Sequence, residues 1–302
     1  MKVSLIGLNN CGKTSICSVV FGQKNAEDTQ SLNPTIFYEV RHYPFLGFQI
    51  GIFDFGGQED HRKDYEKNPE LFAGTDILIP VVDLHDPKNF KNAKKYFKEI
   101  LDIFNQSNKK PKIFLLLHKF DTKNYQKELI DANIRQARNI FLDLFVEFDF
   151  NFIFTSIFEQ NDLRSIFRDI LLSSHAKLKI NIQKMEKDLQ EIKTNIIITD
   201  ILGNILIHNV QNLGSGFILR QDLRDFLYSC NNIREKIFTS DSANFKGKND
   251  DGKEIEIYIF KYIISVIIMK SRDLDVNSHD KVAILLNNVR LLADLIVSAN
   301  FN

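Results

Sequence analysis

The chain has no surplus charge, few cysteines and no long unbroken apolar run. Its 39 Lys and Arg residues balance 39 Asp and Glu residues, so no whole-molecule field is available to hold nucleic acid or an anionic membrane. Three cysteines, Cys11, Cys17 and Cys230, show no paired metal spacing and cannot all pair with one another, which suits a reducing compartment. The most apolar run, Tyr258 to Met269, is broken by Lys261 and is too short to span a bilayer. A strand starts at once, from Lys2 to Ile6, leaving no room for a signal peptide. Lys2 stands where a myristoylated glycine would be needed, and the carboxyl end, Ala299 to Asn302, offers no prenylation cysteine. These absences predict a cytoplasmic protein that binds no nucleic acid and reaches a membrane surface only when partner proteins carry it there.

What is present is an ordinary core-forming composition, 44% hydrophobic over 302 residues, long enough for two domains. Residues 1–175 alternate apolar strands with amphipathic helices, the pattern of a doubly wound α/β sheet. Strands are expected at Val3–Ile6, Phe37–Arg41, Phe48–Phe53, Ile77–Val82, Ile113–Leu117 and Phe152–Thr155. Helices are expected around Thr14–Phe21, Pro87–Phe104, Gln126–Phe148 and Asp162–Ser173. The second and third strands lie close enough for an antiparallel hairpin, so a mixed, mostly parallel sheet is predicted. A polar helix over Ala176–Gln190 leads into a smaller α+β domain, 176–302. There Asn195–Ile201 and Ile205–Val210 flank the tight turn Leu202-Gly203-Asn204. A helix over Phe217–Cys230, strands near Lys236–Thr239, Glu254–Phe260 and Tyr262–Met269, and a final helix over Asn277–Ser298 complete it. Ser240–Gly252 reads as a polar loop.

The strongest chemical signal is Gly7-Leu8-Asn9-Asn10-Cys11-Gly12-Lys13-Thr14, followed by Ser15. It follows a strand and opens a helix, the context that distinguishes a phosphate-binding loop from a chance string. Its glycines let the backbone wrap a β-phosphate, so Asn9, Asn10, Cys11, Gly12, Lys13, Thr14 and Ser15 are expected around the phosphates. Lys13 would reach the β- and γ-phosphates and the Thr14 hydroxyl would ligate Mg²⁺. Asp54-Phe55-Gly56-Gly57-Gln58 closes the third strand. There Asp54 can hold Mg²⁺, the Gly57 amide can meet a γ-phosphate, and Gln58 can orient an attacking water. Thr35, in Asn33-Pro34-Thr35, is the candidate for a threonine that joins Mg²⁺ only when a γ-phosphate is present; a helix-cap or turn threonine is the alternative.

His118-Lys119-Phe120-Asp121 follows an apolar strand. Asp121 can accept two hydrogen bonds from guanine, a donor pair that adenine lacks, and the Lys119 stem can lie over the base. His118 would hydrogen-bond towards the base or brace the phosphate loop. Ser156 and Ile157, after Thr155, would offer backbone amides to the guanine carbonyl. Cys11 beside Lys13 reads as loop filler rather than a redox sensor, and the histidines form no metal spacing.

With these segments in this order, the first domain resembles a Ras-superfamily P-loop GTPase. Leu117-His118-Lys119-Phe120-Asp121, with histidine in place of asparagine, and Phe154-Thr155-Ser156-Ile157-Phe158 are similar to the Rag/Gtr GTPases. The topology of the second domain resembles the roadblock/longin-like domain through which Rag proteins dimerise. The resemblance implies bound GTP or GDP with Mg²⁺, slow hydrolysis set by Gln58, Lys13 and Thr35, and GTPase-activating and exchange factors as partners. It also implies a homodimer or a heterodimer with a related GTPase through the second domain. A nucleotide-binding scaffold with little hydrolysis is the rival reading. An ATP-dependent enzyme is a second rival, and it predicts tolerance of change at Asp121.

Overall fold

In the computed structural model the described residues are 1–21, 24–106, 110–121, 127–200, 203–210, 242–248, 254–261, 263–269 and 276–300. The chain divides into two compact units. One comprises Met1–Tyr43 with Gln49–Ile166, and the other Pro44–Phe48 with Phe167–Asn302.

The first unit holds a six-stranded sheet in the order β2-β3-β1-β4-β5-β6. Its strands are β1 (Lys2–Ile6), β2 (Tyr38–Phe45), β3 (Phe48–Phe55), β4 (Ile77–Asp83), β5 (Lys112–His118) and β6 (Phe150–Thr155). The pairings of β1 with β3 and β4, and of β5 with β4 and β6, are parallel. The central strands β4 and β5 are buried almost end to end, as continuous apolar runs between two helical layers must be. Helices α1 (Lys13–Val20), α3 (Phe90–Asn105), α4 (Lys127–Phe141) and α5 (Gln160–Leu171) follow the strands. Helix α3 turns Ala93, Tyr96, Phe97, Ile100, Leu101 and Phe104 inward, an apolar stripe at helical spacing.

Three local expectations are corrected. Helix α4 stops at Phe141 rather than Phe148, and a 3₁₀ turn, Leu142–Leu144, follows. Phe145 and Phe148 still reach the core, but through a turn in which the Phe148 amide donates to the Phe145 carbonyl. A helix unforeseen in the sequence, α2, spans Glu59–Lys67. Pro87–Asn89 forms a 3₁₀ turn ahead of α3 rather than its first turn, as proline at an N-terminal position allows.

The second unit contains a five-stranded antiparallel sheet in the order β8-β7-β11-β10-β9. Its strands are β7 (Asn195–Asp200), β8 (Ile205–His208), β9 (Ser242–Lys248), β10 (Glu254–Phe260) and β11 (Ile264–Met269). Strand β9 replaces the expected polar loop, and it pairs with β10 from Ser242 opposite Phe260 to Lys248 opposite Glu254. Helix α6 spans Ala176–Gln190 and α7 spans Val276–Asn300; α7 packs on α6 and on β10 and β11. By length and composition alone the Asp280–Ala299 stretch of α7 is long and apolar enough to cross a membrane, a segment that the Tyr258–Met269 run did not point to. Leu285, Val289, Leu292, Ala293 and Ile296 on one of its faces are nevertheless buried in the protein, as in an amphipathic core helix. The turn between β7 and β8 is held by Asp200, whose carboxylate accepts from the Asn204 amide at 2.8 Å and from its side chain at 2.6 Å. The helix expected over Phe217–Cys230 and the strand near Lys236–Thr239 lie outside the described residues.

Candidate functional site

A cleft of about 360 Å³ opens where the first sheet changes direction of winding, between the carboxyl ends of β1 and its neighbours β3 and β4. In open α/β sheets this is where ligands sit. Its lining comes from the β1–α1 loop, the segment before β2, the turn after β3, and the loops after β5 and β6.

The β1–α1 loop places Asn10 in the left-handed region at φ 60° and Gly12 at 97°. Such alternation turns successive N–H groups to one side and makes an anion-binding concavity. The Gly12 carbonyl accepts the first helical bond, from the Ile16 amide at 2.9 Å. The amides of Lys13, Thr14 and Ser15 therefore stand at the open amino end of α1 with its partial positive charge. The buried Lys13 ammonium donates to the carbonyls of Gly7 and Leu8, both at 3.0 Å, and so lies folded against its own loop.

Three oxygen-bearing side chains converge beside it. Thr14 Oγ1 donates to Asp54 Oδ2 at 2.7 Å, Thr35 Oγ1 lies 2.8 Å from Thr14 Oγ1, and Thr35 Oγ1 is 3.4 Å from the same carboxylate oxygen. Asp54 Oδ1 is buried and has no hydrogen-bond partner among the described residues. Burial pushes the Asp54 carboxyl above its ordinary range, opposed by the nearby Lys13 charge. A buried carboxylate oxygen left unpaired is costly, and a cluster of hard oxygen donors is the set that Mg²⁺ prefers. Thr14, Thr35 and Asp54 therefore fit the cation that the sequence pointed to.

At the other end the strand register assembles the site. Asp83 lies opposite His118, and His118 opposite Thr155, so one rung across β4, β5 and β6 carries all three. Lys119, left-handed at φ 62°, donates to Asp83 Oδ2 at 2.6 Å and to the Asn10 carbonyl at 2.9 Å. These bonds tie the loop after β5 to the phosphate loop. Asp121 accepts a hydrogen bond from the Ser156 hydroxyl, and that hydroxyl accepts the Phe158 amide at 3.1 Å. The His118 ring is buried, with Nδ1 2.9 Å from Thr155 Oγ1. A Cβ on Gly12 would fall 2.5 Å from its Cδ2 and 2.8 Å from its Nε2, so an edge of the ring abuts the loop and Gly12 has no room for a side chain. Burial lowers the His118 pKa to about 3, so the ring is neutral. Of the two roles read for His118, the geometry supports bracing of the phosphate loop.

Asn9, Asn10, Gly12, Lys13, Thr14, Ser15, Thr35, Gly57, His118, Lys119, Asp121 and Ile157 all line the cleft. Four expected residues stand elsewhere. Cys11 is buried beneath the loop, its Sγ 3.6 Å from Lys13 Nζ, and burial raises its pKa, so its side chain packs rather than binds. Ser156, expected there through its backbone amide, is not in the lining, and its hydroxyl bonds the cleft residue Asp121. Asp54 sits behind Thr14, joined to the cleft through hydroxyls. Gln58, at the start of α2, is exposed and outside the lining. Thr29, Gln30 and Leu32, which no motif marked, also line the cleft, and Asp83 was likewise unforeseen.

A family model for the Gtr1/RagA G protein conserved region matches residues 2–211. The chain is 34% identical over 146 residues to the Ras-related GTP-binding protein A of Dictyostelium discoideum, covering 44% of this chain and 48% of that protein. It is 30% identical over 162 residues to the GTP-binding protein gtr1 of Schizosaccharomyces pombe, covering 53% and 52%. The chain thus spans about half the length of the curated relatives it matches. Among solved structures, the Arl6 small GTPase of Trypanosoma brucei, determined with a bound nucleotide analogue, overlays 58% of this chain and 98% of its own at 18% identity and a TM-score of 0.45. With the family match running from the first strand past the second unit's first hairpin, the chain belongs to the Gtr1/RagA family of G proteins.

Proposed function

We propose that this chain is a guanine-nucleotide switch that binds GTP with Mg²⁺, hydrolyses it slowly and signals through a dimer partner. The observation that carries this reading is one cleft that holds Thr14 and Thr35, hydrogen-bonded to Asp54 behind them, together with the Asp121 carboxylate. Thr35 belongs to the cluster only when its segment is drawn in, so a γ-phosphate that favours the drawn-in state would set the position of both loops. At the base end Asp121 would exchange its Ser156 partner for the two donors of guanine. Thr14, Thr35 and Asp54 would hold Mg²⁺, which when bound offsets charge on the β- and γ-phosphate oxygens. Lys13 would swing from the Gly7 and Leu8 carbonyls to the phosphates, and Gln58 would turn in to orient the attacking water.

Gln58 faces outward, and this favours slow hydrolysis that an activating protein must accelerate. It equally supports the second reading, a nucleotide-bound scaffold with negligible turnover. Single-turnover hydrolysis separates the two: the switch reading expects Gln58→Leu to lower the measured rate at least tenfold, the effect of losing a group that positions water. An unmeasurable rate in both proteins would leave only the scaffold.

The proposed partner is a second copy or a related GTPase that docks on the second unit. Exposed Ile284 and Leu291, two turns apart on α7, favour a helix-borne apolar contact. A cytoplasmic protein recruited to membranes by such partners is the setting that this reading implies.

A further inference from the structure

The segment after Thr35 is fastened to helix α2 by a contact that no motif announces. Phe37 is left-handed, at φ 59°, a strained conformation for a bulky side chain. Its carbonyl accepts two hydrogen bonds, from the Gly56 amide at 2.7 Å and from the Tyr65 hydroxyl. The same hydroxyl lies 3.3 Å from the Gly56 carbonyl. A Cβ on Gly56 would fall 2.7 Å from the Thr35 carbonyl oxygen and 2.8 Å from that of Phe37, so the turn after β3 lies directly on this segment.

The Tyr65 ring is fully buried, with centroids 5.3 Å from Phe37, 5.2 Å from Phe55 and 6.2 Å from Phe72. These rings fix where the hydroxyl points. Burial drives the phenol pKa upward, which keeps it a donor at any working pH. Phenylalanine would fill the same space, so the hydroxyl is the part of this side chain that packing does not explain.

We propose that Tyr65 is a positioning residue for the nucleotide switch: its hydroxyl clamps the Phe37 carbonyl and thereby holds Thr35 at the phosphate end of the cleft. The proposal rests on the switch reading given above. Withdrawal of residues 35–37 breaks the Gly56 and Tyr65 bonds together and lets Phe37 leave its strained conformation, so the drawn-in and released arrangements are two discrete states. Movement of α2 breaks the clamp from the other side, and a protein that grips α2 thereby acts on Thr35.

The test measures release of fluorescent GDP and of a fluorescent non-hydrolysable GTP analogue, with Mg²⁺ present, from the full chain and from its Tyr65→Phe and Thr35→Ala variants. Tyr65→Phe is expected to release the analogue on the order of five to ten times faster, the effect of one net hydrogen bond. GDP release should stay within about twofold and the thermal midpoint of the GDP-bound form should not move, as expected when a bond specific to one state is lost. Equal acceleration of both nucleotides overturns the clamp, because it reports damage to the fold. So does acceleration of neither while Thr35→Ala still speeds the analogue selectively, and in that case the switch reading survives. If Thr35→Ala shows no preference for the analogue, the switch reading fails and takes the clamp with it.

Discussion

The two ends of the cleft are assembled by different means. The phosphate end is built chiefly from one contiguous loop, whose backbone supplies the amides and whose Lys13 and Thr14 supply the polar side chains. The base end is built from the tips of three strands, and its side chains are paired with one another: Lys119 with Asp83, Asp121 with Ser156, His118 with Thr155. At the phosphate end a buried oxygen, Asp54 Oδ1, is left without a partner among the described residues. A pocket whose polar groups are already satisfied tests a ligand by whether the ligand can replace those bonds, so the base end is suited to specificity. A pocket with an orphaned oxygen gains when a cation arrives, so the phosphate end is suited to affinity and to sensing the γ-phosphate.

This contrast can be broken by changing one end without the other. The largest effect is expected from Asp121→Asn. The site should lose its preference for GTP on the order of 100-fold or more and accept xanthosine triphosphate, because the carboxylate matched to guanine's two donors is gone. Competition titrations check this, and unchanged preference would show that Asp121 does not read the base.

His118→Asn sharpens the contrast through pH. With a folded pKa of about 3 against an ordinary value near 6.5, the unfolded chain binds a proton between these limits and the folded one does not. Stability is therefore fully present above pH 6.5 and is lost as pH falls towards 3, by about 2 kcal/mol between pH 7 and pH 5. Denaturant titrations at the two pH values should show this loss in the parent protein and its removal in the variant. The smallest effect is expected from Asp83→Asn. The ion pair is partly exposed, at 34% and 18%, so guanine-nucleotide release should quicken only about threefold, and phosphate-end mutations should not change that factor.

The same contrast explains what was legible in the sequence. The phosphate loop, Asp54 and Asp121 stand in local strings whose chemistry shows in the order of residues. Asp83 and the Ser156 hydroxyl do not, because their roles depend on which strands lie side by side, and a parallel register brings together residues that no local pattern relates. Helix α2 escaped notice because Glu59–Lys67 is almost entirely charged and buries one large side chain, Tyr65, so it carries no apolar stripe. Strand β9 was missed for a similar reason: Ser242–Lys248 is mostly polar and carries no apolar run, and its pairing with β10 is not written in its own residues. The sequence pattern of α4 outlasts the helix because Phe145 and Phe148 continue its apolar spacing although the backbone has already turned. Strands β4 and β5, apolar except at their ends, match the expected bounds to within a residue.

The most direct test is to purify the chain with Mg²⁺ present, denature it and identify the released nucleotide by chromatography. The account predicts close to one equivalent of GDP or GTP, lost when the metal is chelated before purification. A protein that carries no nucleotide, or one that carries an adenine nucleotide, would contradict it.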